Sequence, residues 1–84
     1  METKDFGWAL RMMKSGERVC RAGWNGIGMW LCIIDPGNAM YTMHGASLDM
    51  QPCVGMRTAQ GVMQPGWLAS QADMLSEDWE LVQD

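Results

Sequence analysis

Histidine is nearly missing from this chain, and cysteine is present in an odd number. The 84 residues hold one histidine, His44, and three cysteines, Cys20, Cys32 and Cys53, with no Cys-x-x-Cys pair. That inventory offers neither a zinc ligand set nor a disulfide framework, so no metal and no cofactor are expected. The thiols read as small buried hydrophobes in a reducing compartment. Nucleophilic catalysis needs a base beside a serine or cysteine, and His44, next to Gly45, reads as an exposed loop residue. Asp73, Glu77 and Asp78 supply carboxylates, yet acidic residues around a short helix read as caps and solvated surface. Gly23, Gly26 and Gly28 are dense but belong to a hairpin and not to a phosphate loop between strand and helix. These shortages point away from an enzyme.

Positive charge is scarce as well. Six Lys and Arg against ten Asp and Glu leave a net charge of −4, the wrong sign for a protein that tracks DNA or RNA phosphates. No apolar run approaches the length that spans a bilayer. The start, Met1-Glu-Thr-Lys-Asp5, lacks the basic, apolar, small-residue order of a signal peptide. A cytoplasmic location follows as an expectation, with no membrane partner. Residues 1–84 read as one domain. A chain this short has a thin core, and with disulfides and metal set aside, self-association is the favoured source of further stability.

What the chain does have is five tryptophans and ten methionines. Trp24 precedes Asn25-Gly26, the strongest short hairpin-turn signal, and Trp67 follows Pro65-Gly66. Large flat rings on tight turns make stacking surfaces for planar ligands, nucleobases above all. The pattern of elements is α+β, with an N-terminal helix packed on a small antiparallel sheet. Phe6, Ala9, Leu10 and Met13 recur at helical spacing, Thr3 or Asp5 suits the N-cap, and Gly16 lies where a left-handed C-cap belongs. Arg18 to Arg21 reads as extended. Met29 to Ile34 is a continuous apolar run, which implies a strand buried on both faces. One helix covers one face only, so a second copy is expected on the other. Met40 to Met43 reads as a short strand in the otherwise poorly legible stretch from Asp35 to Pro52. Cys53 to Thr58 and Val62 to Gln64 flank a glycine turn. Ser70-x-x-Asp73 predicts a capping box opening one helical turn from Gln71 to Leu75. Asp78 to Val82 closes the chain as a strand with Trp79 and Leu81 on one face.

The residues that suit binding are spread over two loops. Trp24 offers a ring face and Asn25 a donor and acceptor. Arg57 suits a phosphate, with Thr58 beside it. Ser70, Gln71 and Asp73 gather hydroxyl, amide and carboxylate at a helix start whose free N–H groups favour anions. Each has a plain structural reading too: Trp24 as a core staple, Arg57 as a surface strand residue, Ser70 and Asp73 as a cap. Taken together they read as a polar-aromatic pocket.

Three stretches carry a family resemblance: Arg21-Ala-Gly-Trp-Asn-Gly-Ile-Gly-Met29, Gly55-Met-Arg-Thr-Ala-Gln-Gly61 and Trp67-Leu-Ala-Ser-Gln-Ala-Asp-Met-Leu-Ser-Glu-Asp-Trp79. In this order they resemble the second Thoeris anti-defence family of small phage and prophage proteins. The resemblance implies a homotetramer, or failing that a dimer. It implies a sponge in the host bacterial cytoplasm that binds a cyclic ADP-ribose isomer intact at a pocket between subunits, with cyclic di- or trinucleotides at a separate site. It gives Trp24 and Asn25 base- and ribose-facing roles, and makes Arg57, Thr58 and the segment holding Trp67, Ser70, Gln71 and Asp73 the opposite wall and phosphate contacts. The family has Pro-Trp where this chain has Pro65-Gly66-Trp67, so the added glycine bears on how the Trp67 ring is presented. The alternative is an interaction module that docks its aromatic, methionine-rich face on a host protein.

Overall fold

Asp5 starts the first helix by accepting a hydrogen bond from the Trp8 backbone N–H at 2.8 Å through its side chain. The computed structural model describes residues 4–24, 28–35, 40–43, 46–49 and 51–83; Asn25, Gly26 and His44 fall outside them. Helix α1 runs Phe6–Lys14, with Arg11 and Lys14 in the last turn, where cations complement the helix dipole. Gly16, at a φ of 96°, turns the chain out of the helix in the left-handed conformation that suits glycine.

Seven strands follow: β1 Val19–Arg21, β2 Trp30–Ile34, β3 Met40–Met43, β4 Ala46–Asp49, β5 Cys53–Arg57, β6 Met63–Pro65 and β7 Trp79–Leu81, with a short helix α2, Gln71–Leu75, before the last. Five of them form one antiparallel sheet in the order β6-β5-β2-β1-β7, while β3 and β4 form a separate two-stranded sheet. The register pairs Val19 with both Leu31 and Leu81, Arg21 with Trp79, and Trp30 with Arg57. This is the expected α+β architecture, with the strand at residues 40–43 in place. β4 was not anticipated, because Ala46–Asp49 shows neither β-branching nor a clear alternation.

Side chains alternate between the two faces of a strand, and α1 covers one face only. On that side Trp8, Ala9, Met13, Val19, Leu31 and Trp79 are buried, with Phe6, Leu10, Ile33, Val54, Met56, Trp24 and Trp67 packed around them. The opposite face carries Trp30, Cys32, Ile34 and Cys53 half-buried and Met63 exposed. So β2 is not buried on both faces within one chain; Leu31 is its one fully buried residue. The cysteines are not core hydrophobes either. All three are free and half-buried on the open face, where partial burial pushes the Cys20 and Cys32 thiols above their ordinary pKa. Trp79 and Leu81 share one face of β7, as expected, with Trp79 buried and Leu81 exposed near the end of the edge strand.

Trp79 is the centre of the covered side. It is 1% exposed, and Phe6, Trp24 and Trp67 surround it with ring centroids at 5.6, 5.5 and 6.4 Å. Its indole N–H donates to the Asp73 carbonyl at 3.1 Å, so a large apolar ring is buried without an orphaned donor. Replacing it with alanine removes that packing and leaves a cavity, which costs about 3–5 kcal/mol. Chemical denaturation of Trp79→Ala against wild type measures the loss, and a cost near zero contradicts this core.

Candidate functional site

The chain leaves β1 at Arg21, and the side chain there ties it to the stretch from α2 to β7, more than fifty residues further on. Arg21 Nε donates to Asp78 Oδ1 at 2.9 Å and Nη1 donates to Asp73 Oδ1 at 2.8 Å, so one planar guanidinium bridges two carboxylates. The other Asp78 oxygen accepts from the Gly23 N–H at 2.9 Å, and the Ala22 N–H donates to the Asp78 carbonyl at 3.0 Å. Trp24 then follows, and its indole Nε1–H donates to Asp73 Oδ1 at 3.3 Å. The ring meets Trp79 edge-on at an interplanar angle of 79° and is half-buried. Trp24 is therefore both a staple and a presented ring: its N–H edge and one contact are fixed by the protein, and part of its surface faces outward.

Asp73 is the point of convergence. Its Oδ2 accepts from the Ser70 hydroxyl at 2.9 Å and the Ser70 N–H at 3.2 Å, while the Asp73 N–H donates to Ser70 Oγ at 3.1 Å. This is the capping box expected of Ser70-x-x-Asp73. Both carboxylate oxygens are thus engaged inside the protein, and the start of α2 already has its own negative charge. Gln71 opens that helix and is exposed. Trp67 packs its ring on Phe6 at 6.4 Å as well as on Trp79. Gly66 has a φ of 84°, and a side chain there would meet open space, so the backbone turns just before Trp67 in the left-handed conformation that suits glycine.

Arg57 and Thr58 lie elsewhere, at the end of β5, across β2 and β1 from β7. Arg57 Nη1 donates to the Gly28 carbonyl at 2.6 Å. Thr58 closes the turn to β6: its N–H donates to the Val62 carbonyl at 2.8 Å and its Oγ1 accepts from the Val62 N–H at 3.2 Å. The structure therefore groups Trp24, Trp67, Ser70 and Asp73 around Trp79, and sets Arg57 and Thr58 apart at the far end of the same loop. A cavity of about 480 Å3 opens between Trp30, Cys20, Met29, Lys4 and Glu80, and none of the sequence-selected residues lines it. Arg21 and Asp78 were missed because their partners lie 52 and 57 residues away, beyond any local pattern; the matched acid and base beside the two tryptophan motifs were the one available signal. Among the described residues no helix is long and apolar enough to cross a membrane, and no group of three or more His, Cys, Asp or Glu is placed to hold a metal ion.

This geometry rests on residues drawn from all three recurrent stretches, and the comparisons with known proteins cover the same ground. Residues 4–82 match the Thoeris anti-defense 2-like domain. A protein of Bacillus phage SP01 named Thoeris anti-defense 2 is 36% identical over 90 residues, covering 98% of this chain and 99% of its own length. The chain belongs to the Thoeris anti-defense 2 family. The Arg21–Asp73–Asp78 network accordingly lies in an anti-defence protein, within the span that defines the family.

The network carries a pH signature. Burial, the largest single effect on Asp73, raises its carboxyl pKa, but the bonds from Arg21, Ser70 and Trp24 together hold it below the ordinary value. For Asp78 the Arg21 bond leads and depresses the pKa against a smaller burial effect. A depressed carboxylate contributes its stabilisation in full above the unfolded-state pKa, about 3.9, and loses it as pH falls through the lower folded-state value. Wild type is therefore expected to lose stability steeply only below about pH 4, while Asp73→Asn is less stable at neutral pH by about 1–3 kcal/mol and flatter in acid. Urea midpoints from pH 2.5 to 7, as roughly spaced steps across the carboxylate range, test both; parallel curves for the two proteins reject the network as a source of stability.

Proposed function

We propose that this chain is a non-catalytic anti-Thoeris sponge. It binds a cyclic ADP-ribose isomer made as a Thoeris immune signal and keeps it intact in the cytoplasm of the host bacterium. The observation that carries the reading is Trp24: a half-buried ring pinned by its N–H edge, in a chain of this family. A sponge must bind tightly without chemistry, which favours a rigid surface formed before the ligand arrives. Base stacking on a fixed ring contributes about 1–3 kcal/mol. The reading keeps Asn25 beside Trp24 as a ribose or base-edge contact, and Gln71 and Ser70 as exposed polar groups at the rim. It gives Asp73 the task of orienting the ring.

The same reading makes the protein a homo-oligomer, with a tetramer favoured over a dimer. Its support is the open sheet face, opposite the one that α1 covers, where Trp30, Cys32, Ile34 and Cys53 are half-buried and Met63 is exposed. The 480 Å3 cavity beside Trp30, with Lys4 on its wall, is the candidate for a second site that takes cyclic oligonucleotides. A competing reading is direct docking on a host protein. Leu68 and Leu75 favour it, being 90% and 80% exposed, one just before α2 and the other at its end.

The test is retention. Purified protein is incubated with cyclic ADP-ribose isomers, washed, heated, and the released material identified by chromatography and mass. Recovery of one intact isomer is the expected result, and Trp24→Ala, with its denaturation profile checked, is expected to retain none. A product of altered mass that accumulates with time means an enzyme. Nothing retained by wild type, with a host polypeptide co-purifying, means the docking reading is correct instead.

A further inference from the structure

The loop that carries Trp24 is fastened at both ends, and the two fastenings differ. Its entry is held by Asp78, which accepts from Gly23 N–H and from Arg21. Its exit is held by Arg57, through the Gly28 carbonyl at 2.6 Å. Two glycines shape the place where that guanidinium lies. Gly28 has a φ of 79°, and a Cβ there would fall 2.8 Å from Arg57 Nη1; Gly61 has a φ of 84°, and its Cβ would fall 3.4 Å from Nη2. Both positions are left-handed, which favours glycine; a side chain at Gly28 would crowd the end of the arginine, and one at Gly61 would make ordinary contact with it. The turn behind Gly61 is itself closed by its bond to the Thr58 carbonyl at 2.9 Å. A flat, rigid fork suits this slot in a way that a flexible ammonium does not.

We propose that Arg57 is a positioning residue: it fixes the exit of the Trp24 loop through Gly28 and does not meet the ligand's phosphates. The proposal rests on the binding reading above, and replaces the phosphate role that the sequence alone suggested for this arginine. A charge-assisted bond of this length is among the stronger kinds. Turning the guanidinium out to a ligand breaks it and empties the slot between the two glycines.

The experiment uses Arg57→Ala, Arg57→Lys, Gly28→Ala and the double variant Arg57→Ala/Gly28→Ala, with a cyclic ADP-ribose isomer as probe. Arg57→Ala and Gly28→Ala are each expected to weaken binding roughly tenfold to hundredfold. The defect is expected to be the same in about 0.05 M and about 0.5 M salt, since screening acts on exposed charge pairs. The double variant is expected to bind no worse than the weaker single variant, because both changes break one contact. In the ligand-free protein, amide hydrogen exchange at Gly28 and Met29 is expected to speed up in Arg57→Ala while the protein still unfolds in one cooperative transition; Gly28→Ala adds the strain of a side chain at a φ of 79° and is expected to lower the denaturation midpoint as well. Full affinity in Arg57→Lys, a defect that fades at high salt, or unchanged exchange at Gly28 in Arg57→Ala overturns the proposal. If wild type itself retains no probe, the sponge reading falls, and the exchange measurement still decides whether Arg57 holds the loop.

Discussion

The carboxylate of Asp73 accepts from the Arg21 guanidinium, the Trp24 indole, and both the hydroxyl and the N–H of Ser70, and its carbonyl accepts from the Trp79 indole. Taking any one of these away leaves a neighbour half-satisfied in a partly dry setting, where an unpaired polar group costs more than a made bond returns. Helix α2 has five residues, too few to be stable alone. Its place is set by this carboxylate and by Trp79. The Trp24 loop, α2 and β7 behave as one piece for the same reason.

Such saturation decides what the site can offer a ligand. Of the six basic residues, Arg21 is spent on two aspartates and Arg57 on a backbone carbonyl. What remains presented around Trp24 is a ring face of fixed orientation with exposed amide and hydroxyl groups near it. Affinity from such a surface comes from preorganisation, because the ring's freedom is lost on folding and not on binding. The overall negative charge matters less to a stacking site than to one built on phosphate contacts.

The sequence was most legible where the physics is local. Asp5 as cap, Gly16 as left-handed exit, the Ser70–Asp73 box and the glycine turn at Gly61 each follow from a few adjacent residues, and all stand as expected. Trp24 was readable as a core staple, and its packing on Trp79 and bond to Asp73 make it one. The roles of Arg21 and Arg57 were not legible, for two different reasons. The partners of Arg21 arrive only after the sheet has brought β1 beside β7. The partner of Arg57 is a main-chain carbonyl, which every residue has and no sequence marks. The cysteines show a third kind of limit: Cys32 shares the parity of Trp30 within β2, but which parity faces the helix is settled only when Leu31 pairs with Val19 and Met56 beneath α1.

That choice of parity also sets how the two faces of the sheet communicate. Arg21 stands in the row of Trp79, on the face that α1 covers, while Arg57 stands in the row of Trp30 and Met63, on the open face. The loop between β1 and β2 runs from one to the other, so it is anchored to the core at its Trp24 end and to the open face at its Gly28 end. Any body seated against Trp30 and Met63 bears on the arginine that holds Gly28, and a ring stacked on Trp24 bears on the aspartate that holds Arg21.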